Sequence, residues 1–225
     1  MLLASPLLLL DHRTRMQLVP GLISFAVGTL LGVALLALVP EALESLRAPA
    51  ALGALLAGIL GFFMLEKLVI WRHCHTAECE AHSSSATLIL IGGGLHNFTD
   101  GAIVGAAVLT SLPLGVTTAL AVAAHQIPQE VGDFAILLDA GYSRSRAFVL
   151  NALSASTCAV GAVAVYAAAS WTPTALPYVL AVAAGSFLYV AMSDLIPGLH
   201  RDTIDVGAVR QVVLIAAGVG VIMVL

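Results

Sequence analysis

The sequence predicts an all-α integral membrane protein, a polytopic helical bundle with seven evident spans, and three observations predict it. Of 225 residues, 60% are apolar and only 10% are charged, whereas a domain covered by water carries about 25% charge. Mean hydropathy is +1.03. Unbroken apolar stretches recur at about 20 residues, the length that crosses hydrocarbon as a helix, where a β-barrel would show alternating segments of about ten. Thirteen acidic against nine basic residues speak against nucleic acid as a partner, and three cysteines against a disulfide framework. The lipid bilayer is the expected surrounding.

Residues 1–17 read as an N-terminal tail or the remnant of a first helix. The opening MLLASPLLLL is apolar but too short to span, contains Pro6, and lacks the basic region and small-residue cleavage site of a signal peptide. Residues 18–225 form the transmembrane domain, with spans expected at 18–39, 51–71, 86–109, 115–138, 147–169, 176–197 and 206–225. Helix breakers separate them: Pro40 and Pro49, Ser111 with Pro113, Gly141, Pro173 and Pro177, and Pro197 with Gly198. One loop is long, 72–85. Small-residue pairs such as Gly28 with Gly32 and Gly101 with Gly105 allow close helix contacts, within one chain or between the two copies of a homodimer.

Basic residues set the sidedness, because short loops rich in Lys and Arg stay in the cytoplasm. Arg13, Arg15, Lys67, Arg72, Arg144, Arg146, Arg201 and Arg210 fall on one side and Arg47 alone on the other. The long loop is therefore expected in the cytoplasm and the C-terminus outside, with a bacterial inner (plasma) membrane as the expected location.

A charge in the bilayer interior costs about 2.5–3.5 kcal/mol or more, so its position is informative. Glu66, Lys67, Asp194 and Arg210 lie near span ends, whereas the third and fourth spans carry polar groups deep inside. The third holds His96, Asn97, Thr99 and Asp100. The fourth holds His125, Gln126, Gln129, Glu130 and Asp133. The two are antiparallel neighbours joined near Leu112, and a rise of about 1.5 Å per residue puts Asp100, His96, His125 and Gln129 roughly 18–25 Å from that turn. His96 and Asp100 share a helix face, as do His125 and Gln129, and Gln126 and Glu130. Two helices thus bring imidazole, carboxylate and amide groups to one depth. Nitrogen and oxygen donors without thiolate suit Zn²⁺ and its neighbours Fe²⁺ and Mn²⁺. Pro128, among these residues, frees the carbonyl of Ala124 and loosens the helix at the site.

These motifs resemble the ZIP (Zrt/Irt-like) family of divalent metal transporters, and its LIV-1 branch in particular. His96-Asn97-Phe98-Thr99-Asp100-Gly101 matches that branch's HNFTDG, and the run from His125 to Phe134, HQIPQEVGDF, is similar to its HEIPHEVGDF. Ser24 to Gly28, Glu66-Lys67 and the stretch from Phe187 to Pro197 agree as well. The resemblance implies an eight-helix fold whose first helix is truncated or missing here, a metal site between the fourth and fifth helices, and flow of metal into the cytoplasm. It assigns His96, Asp100, His125 and Gln129 to a first metal position, and Asn97, Gln126 and Glu130 to a second, bridged by Asp100. Gln126 and Gln129 replace the branch's Glu and His, which removes an anion and an imidazole and argues against the second metal. Val33 and Ala37 stand where the branch has Asp and His; Glu41 at the outer end of that span could gather cations.

Residues 73–82 read HCHTAECEAH, so His73, Cys74, His75, Cys79 and His82 form a candidate cytoplasmic metal-binding loop. The expected function is a transporter that moves Zn²⁺ into the cytoplasm, with Fe²⁺, Mn²⁺ or Cd²⁺ as other substrates. Reversed flow, an exporter, is an alternative that topology leaves open. An intramembrane metalloprotease is the alternative from another class. That chemistry wants HExxH, and HQIPQ lacks both the Glu and the second His, so no enzyme activity is expected.

Overall fold

In the computed structural model, which describes residues 7, 10, 12–71, 81–169, 173–199 and 206–225, the first apolar run does not stop at Pro40. It folds as α1 (His12–Gly32), a π-helical segment (Val33–Leu38) and α2 (Val39–Ser45), one continuous rod. The rod begins at His12 rather than 18, so the end of the expected 1–17 tail is helical, and it ends at Ser45 rather than 39. Just before Pro40, the Val39 N–H bonds Ala34 five residues back, and this wider step absorbs the hydrogen bond that proline cannot donate. The same device recurs later. α7 (Leu176–Tyr189) passes through a π-helical segment (Val190–Leu195) into α8 (Ile196–Leu199), with Ile196 N–H on Ala191 and Pro197 next in line.

Between these rods lie α3 (Ala48–Trp71), α4 (Ala81–Thr110), α5 (Leu112–Asp139) and α6 (Arg144–Ala169); a 3₁₀ turn (Pro173–Ala175) leads into α7, and α9 (Val206–Val224) closes the chain. Among the described residues these make seven membrane-length rods and no strand. Five rods are long and apolar enough by themselves to cross a membrane: Gln17–Ser45, Ala48–Lys67, Arg144–Ala168, Leu176–Leu199 and Gly207–Val224. The other two, α4 and α5, have ample length, 30 and 28 residues, but their buried polar groups lower the hydropathy.

α4 starts at Ala81, so residues 81–85 of the expected loop 72–85 are helical; neither proline nor glycine stands between Ala81 and Ile91 to stop the helix. His82 lies on that first turn. The rest of the loop, with His73, Cys74, His75 and Cys79, lies outside the described residues.

The rods pack chiefly in pairs, α4 on α6, α1 on α9, α3 on α7, and α4 on α5. Glycines set the first three contacts. A Cβ at Gly101 would fall 1.8 Å from the Cys158 carbonyl oxygen, and one at Gly161 would fall 1.9 Å from that of Phe98. α4 and α6 therefore meet backbone to backbone. Gly28 with Gly218 and Gly58 with Gly185 do the same for the other two pairs. The pairs noted in the sequence, Gly28 with Gly32 and Gly101 with Gly105, all contact α9 or α6 of their own chain.

The main apolar core gathers toward the end where α4 turns into α5. Leu30, Val33 and Leu38 of the first rod meet Ile103 and Ala107 of α4, Leu114 and Val122 of α5, and Leu180 and Phe187 of α7. At the opposite end Phe134, Leu137 and Ala147 form a smaller cluster. Gly141, at φ +86°, makes the turn into α6 that a side chain would resist.

Candidate metal centre

The hairpin of α4 and α5 is locked at its tip. Ser111 breaks the helix in extended conformation, and its hydroxyl accepts the Leu114 N–H at 3.3 Å as an N-cap, with Pro113 in the first turn. From that point the two helices run antiparallel, and their register brings side chains 25–29 residues apart in sequence into contact. Nε2 of His125 lies 3.0 Å from Oδ2 of Asp100 and 3.3 Å from Nε2 of His96, and His96 Nε2 is 3.3 Å from the same Oδ2. All three residues are buried, with Asp100 2% and His125 1% exposed. Among the described residues this is the cluster of His, Cys, Asp and Glu whose ligand atoms lie within 4.8 Å of one another.

The surroundings orient these groups. Nδ1–H of His125 donates to the carbonyl of Ala121, one turn back at 3.1 Å. In the neutral imidazole this leaves Nε2, the nitrogen beside Asp100, as the electron-pair donor. Three electron-pair donors thus converge in a buried space, an arrangement that a cation at their centre relieves. Phe62 of α3 sets its ring edge-on to His96 at 5.5 Å, and Phe187 of α7 stands 6.1 Å from His125. Phe62 also packs on Tyr189, whose hydroxyl donates to the Glu66 carboxylate near the far end of α3.

The amide of Gln126 donates to Asn97 Oδ1 at 2.7 Å and to Asp100 Oδ2 at 3.0 Å. Two of the oxygens that would hold a second cation are thus occupied by N–H donors. Gln129 is half-buried one turn beyond His125. Glu130 is buried but stands outside the three-residue cluster. Five positions past His125 it has turned about 140° around the helix, and its carbonyl accepts from Asn151 of α6 at 3.0 Å. Thr99 spends its hydroxyl on Leu95 of its own helix, and α5 remains helical through Pro128. Phe62, Phe187 and the Ala121 carbonyl are members of the site that sequence reading missed. The carbonyl was discoverable, since it lies four residues before a buried histidine; the two aromatic rings depend on how distant helices pack.

Comparison with known proteins identifies the family. The model of the ZIP zinc transporter family matches residues 72–225, more than half of the chain. Zinc transporter ZIP10 of Danio rerio is 43% identical over 122 residues, 54% of this chain and 14% of that protein. Human zinc transporter ZIP6 is 40% identical over 126 residues, 56% and 17% of the two chains. Zinc transporter ZIP13 of Pongo abelii is 36% identical over 221 residues, 91% of this chain and 65% of that protein. The chain spans less than two thirds of the length of each of these relatives, which are transporters rather than enzymes. The match takes in the whole α4–α5 hairpin that carries His96, Asp100 and His125, and the chain belongs to the ZIP zinc transporter family.

Proposed function

We propose that this chain moves a divalent cation, Zn²⁺ before Fe²⁺, Mn²⁺ or Cd²⁺, across a membrane and into the cytoplasm, through the cluster of His96, Asp100 and His125. The observation that carries the proposal is the convergence of two imidazole nitrogens and one carboxylate oxygen, all within 4.8 Å and buried between two touching helices. Two nitrogens and an oxygen are a borderline donor set suited to Zn²⁺, with the fourth tetrahedral position left for the Gln129 side chain or water. The names of the relatives, all zinc transporters, support the choice of metal.

In this reading the Arg47 end is outside and the Lys67 end is cytoplasmic, in keeping with the distribution of basic residues. A cation enters from the Arg47 end, exchanges water for His96, His125 and Asp100, and leaves toward His73, Cys74, His75 and Cys79 and, on the first turn of α4, His82. The Gln126 amide favours a single metal over a bridged pair, because it already donates to the oxygens of Asn97 and Asp100. Asn97 and Gln126 then hold Asp100 in position, and Glu130 lies on the face toward α6. The test is zinc flux into proteoliposomes. His96→Ala and Asp100→Ala are expected to abolish it, and flux that persists in both variants would refute the ligand assignment.

A further inference from the structure

Buried hydroxyls in this bundle are spent on backbone carbonyls. Ser24 donates to Pro20 at 2.8 Å, Thr29 to Ala26 at 3.0 Å, Thr117 to Pro113 at 2.8 Å and Ser186 to Val182 at 3.1 Å, each within its own helix. Thr118 breaks the pattern. It is 0% exposed, and its Oγ1 has no hydrogen-bond partner among the described residues. A hydroxyl kept dry and unbonded is costly, and valine fills the same volume without that cost, so its presence calls for a use.

Its place suggests one. Thr118 lies seven residues before His125, two turns along α5 on the same face, about 10 Å toward the Ser111 end. At that end a cavity of about 180 Å³ is lined by Glu41, Ser45, Thr110, Leu176, Pro177 and Leu180. Thr110 is ten residues beyond Asp100 on α4, about 15 Å from the cluster. Thr118 thus stands at a depth between the cavity and the metal centre. Its neighbours along α5, Leu114, Ala121 and Val122, belong to the same apolar core as Leu180 on the cavity wall.

We propose that Thr118 supplies an oxygen ligand at an intermediate cation position, where a partly hydrated divalent ion pauses between the Glu41 cavity and the His96–Asp100–His125 cluster. The proposal rests on the transport reading above. An ion crossing apolar packing without an oxygen on the way pays a full dehydration penalty, and one neutral hydroxyl with retained water shortens that crossing. A neutral oxygen also binds weakly, as a waypoint requires: strongly enough to enter, loosely enough to leave.

The experiment uses the full chain in proteoliposomes and in detergent, with Zn²⁺ as the probe. Thr118→Val keeps the shape and removes the oxygen; it is expected to slow initial zinc uptake about fivefold or more, while zinc affinity in detergent stays within about twofold of the parent. Its thermal midpoint is expected to be no lower than the parent's, because an unpaired hydroxyl has been exchanged for a methyl group. Thr118→Ser, which retains the hydroxyl, is expected to recover uptake. Uptake by Thr118→Val equal to the parent overturns the proposal and leaves the transport reading standing, and equal slowing in both variants overturns it in favour of simple packing. Failure of the transport reading looks different: the parent chain binds zinc yet moves none, and the waypoint falls with it.

Discussion

The α4–α5 hairpin and the buried hydroxyls of α1 and α7, which frame it, handle polarity in opposite ways, while α6 reaches back to the hairpin through Asn151, Ser154 and Thr157. In the frame, Ser24, Thr29 and Ser186 return their protons to carbonyls three or four residues back, which removes the desolvation problem locally and engages no other helix. In the hairpin, Gln126 and His125 reach across to Asn97, Asp100 and His96. A polar group in hydrocarbon can be silenced within its helix or committed to a neighbour, and only the second choice builds a site. Thr99 and Thr117 show that the distinction belongs to each side chain rather than to its helix, since both sit on the hairpin and bond backward.

The sharpest way to break this contrast is to truncate a group committed across helices. His125→Ala removes the imidazole that touches both His96 and Asp100. It is expected to cost about 100-fold or more in zinc affinity, since even the outer partners of a metal ligand are worth about 10–100-fold. Isothermal titration with Zn²⁺ measures this, and affinity within a few-fold of the parent would remove His125 from the ligand set.

Acid comes next. An imidazole must be neutral to bind metal, so protons compete with the cation: uptake is full at high pH and is lost as pH falls. Between about pH 7.5 and about pH 5.5 the initial rate of zinc uptake is expected to drop tenfold or more, because two imidazoles compete together. A rate that stays level over that interval contradicts ligation by His96 and His125.

Much of this site was legible in the sequence, and the reason is physical. Ionisable groups are rare inside apolar runs, and a fixed rise per residue converts sequence separation along a hairpin into depth. The pairing of His125 with Asp100 follows from counting outward from Leu112. The aromatic walls were not legible, because the rotation of α3 and α7 about their axes is set by Gly58 and Gly185, whose carbonyl contacts leave no periodic trace. Nor were the π segments, whose widened bonds, ending at Val39 and Ile196, change no composition. In retrospect each lies one residue before a proline. The start of α4 is hidden by the polarity of residues 82–85, although Ala81 to Ser85 contain nothing that opposes a helix.

The hairpin depends on its frame for position, and glycine supplies the test. A methyl at Gly161 would meet the Phe98 carbonyl oxygen at 1.9 Å, whereas one at Gly132 of α5 meets nothing within 4 Å. Gly161→Ala is expected to destabilise the bundle by about 1–3 kcal/mol by forcing α6 off α4. Gly132→Ala is expected to stabilise it by about 0.5–1 kcal/mol through helix propensity alone. Thermal unfolding in detergent compares them, and equal shifts would show that the close crossing does not hold the hairpin.

A subtler change converts the amide bridge into a ligand. Gln126→Glu exchanges an N–H donor aimed at Asp100 and Asn97 for an anion, which brings a third carboxyl or amide oxygen to the same point. The number of zinc ions bound per chain is expected to rise from about one to about two, as charge balance then allows a second cation. Equilibrium dialysis counts them; an unchanged count would show that something other than Gln126 limits the site to one metal.

The smallest expected effect is on the frame side of the comparison. Ser186 is 5% exposed, as deeply placed as the ligands, and Ser186→Ala deletes a buried polar group from a rod in direct contact with the site through Phe187. A hydroxyl bonded only to its own helix leaves behind a Val182 carbonyl that still has its backbone donor, so nothing is orphaned by the loss. Stability is expected to change by less than about 0.5 kcal/mol and zinc uptake to be unaltered. A large fall in uptake would mean that a helix-bonded hydroxyl can turn outward to serve the cation. In that case, the division between silenced and committed polar groups would describe one resting arrangement of the protein rather than its working cycle.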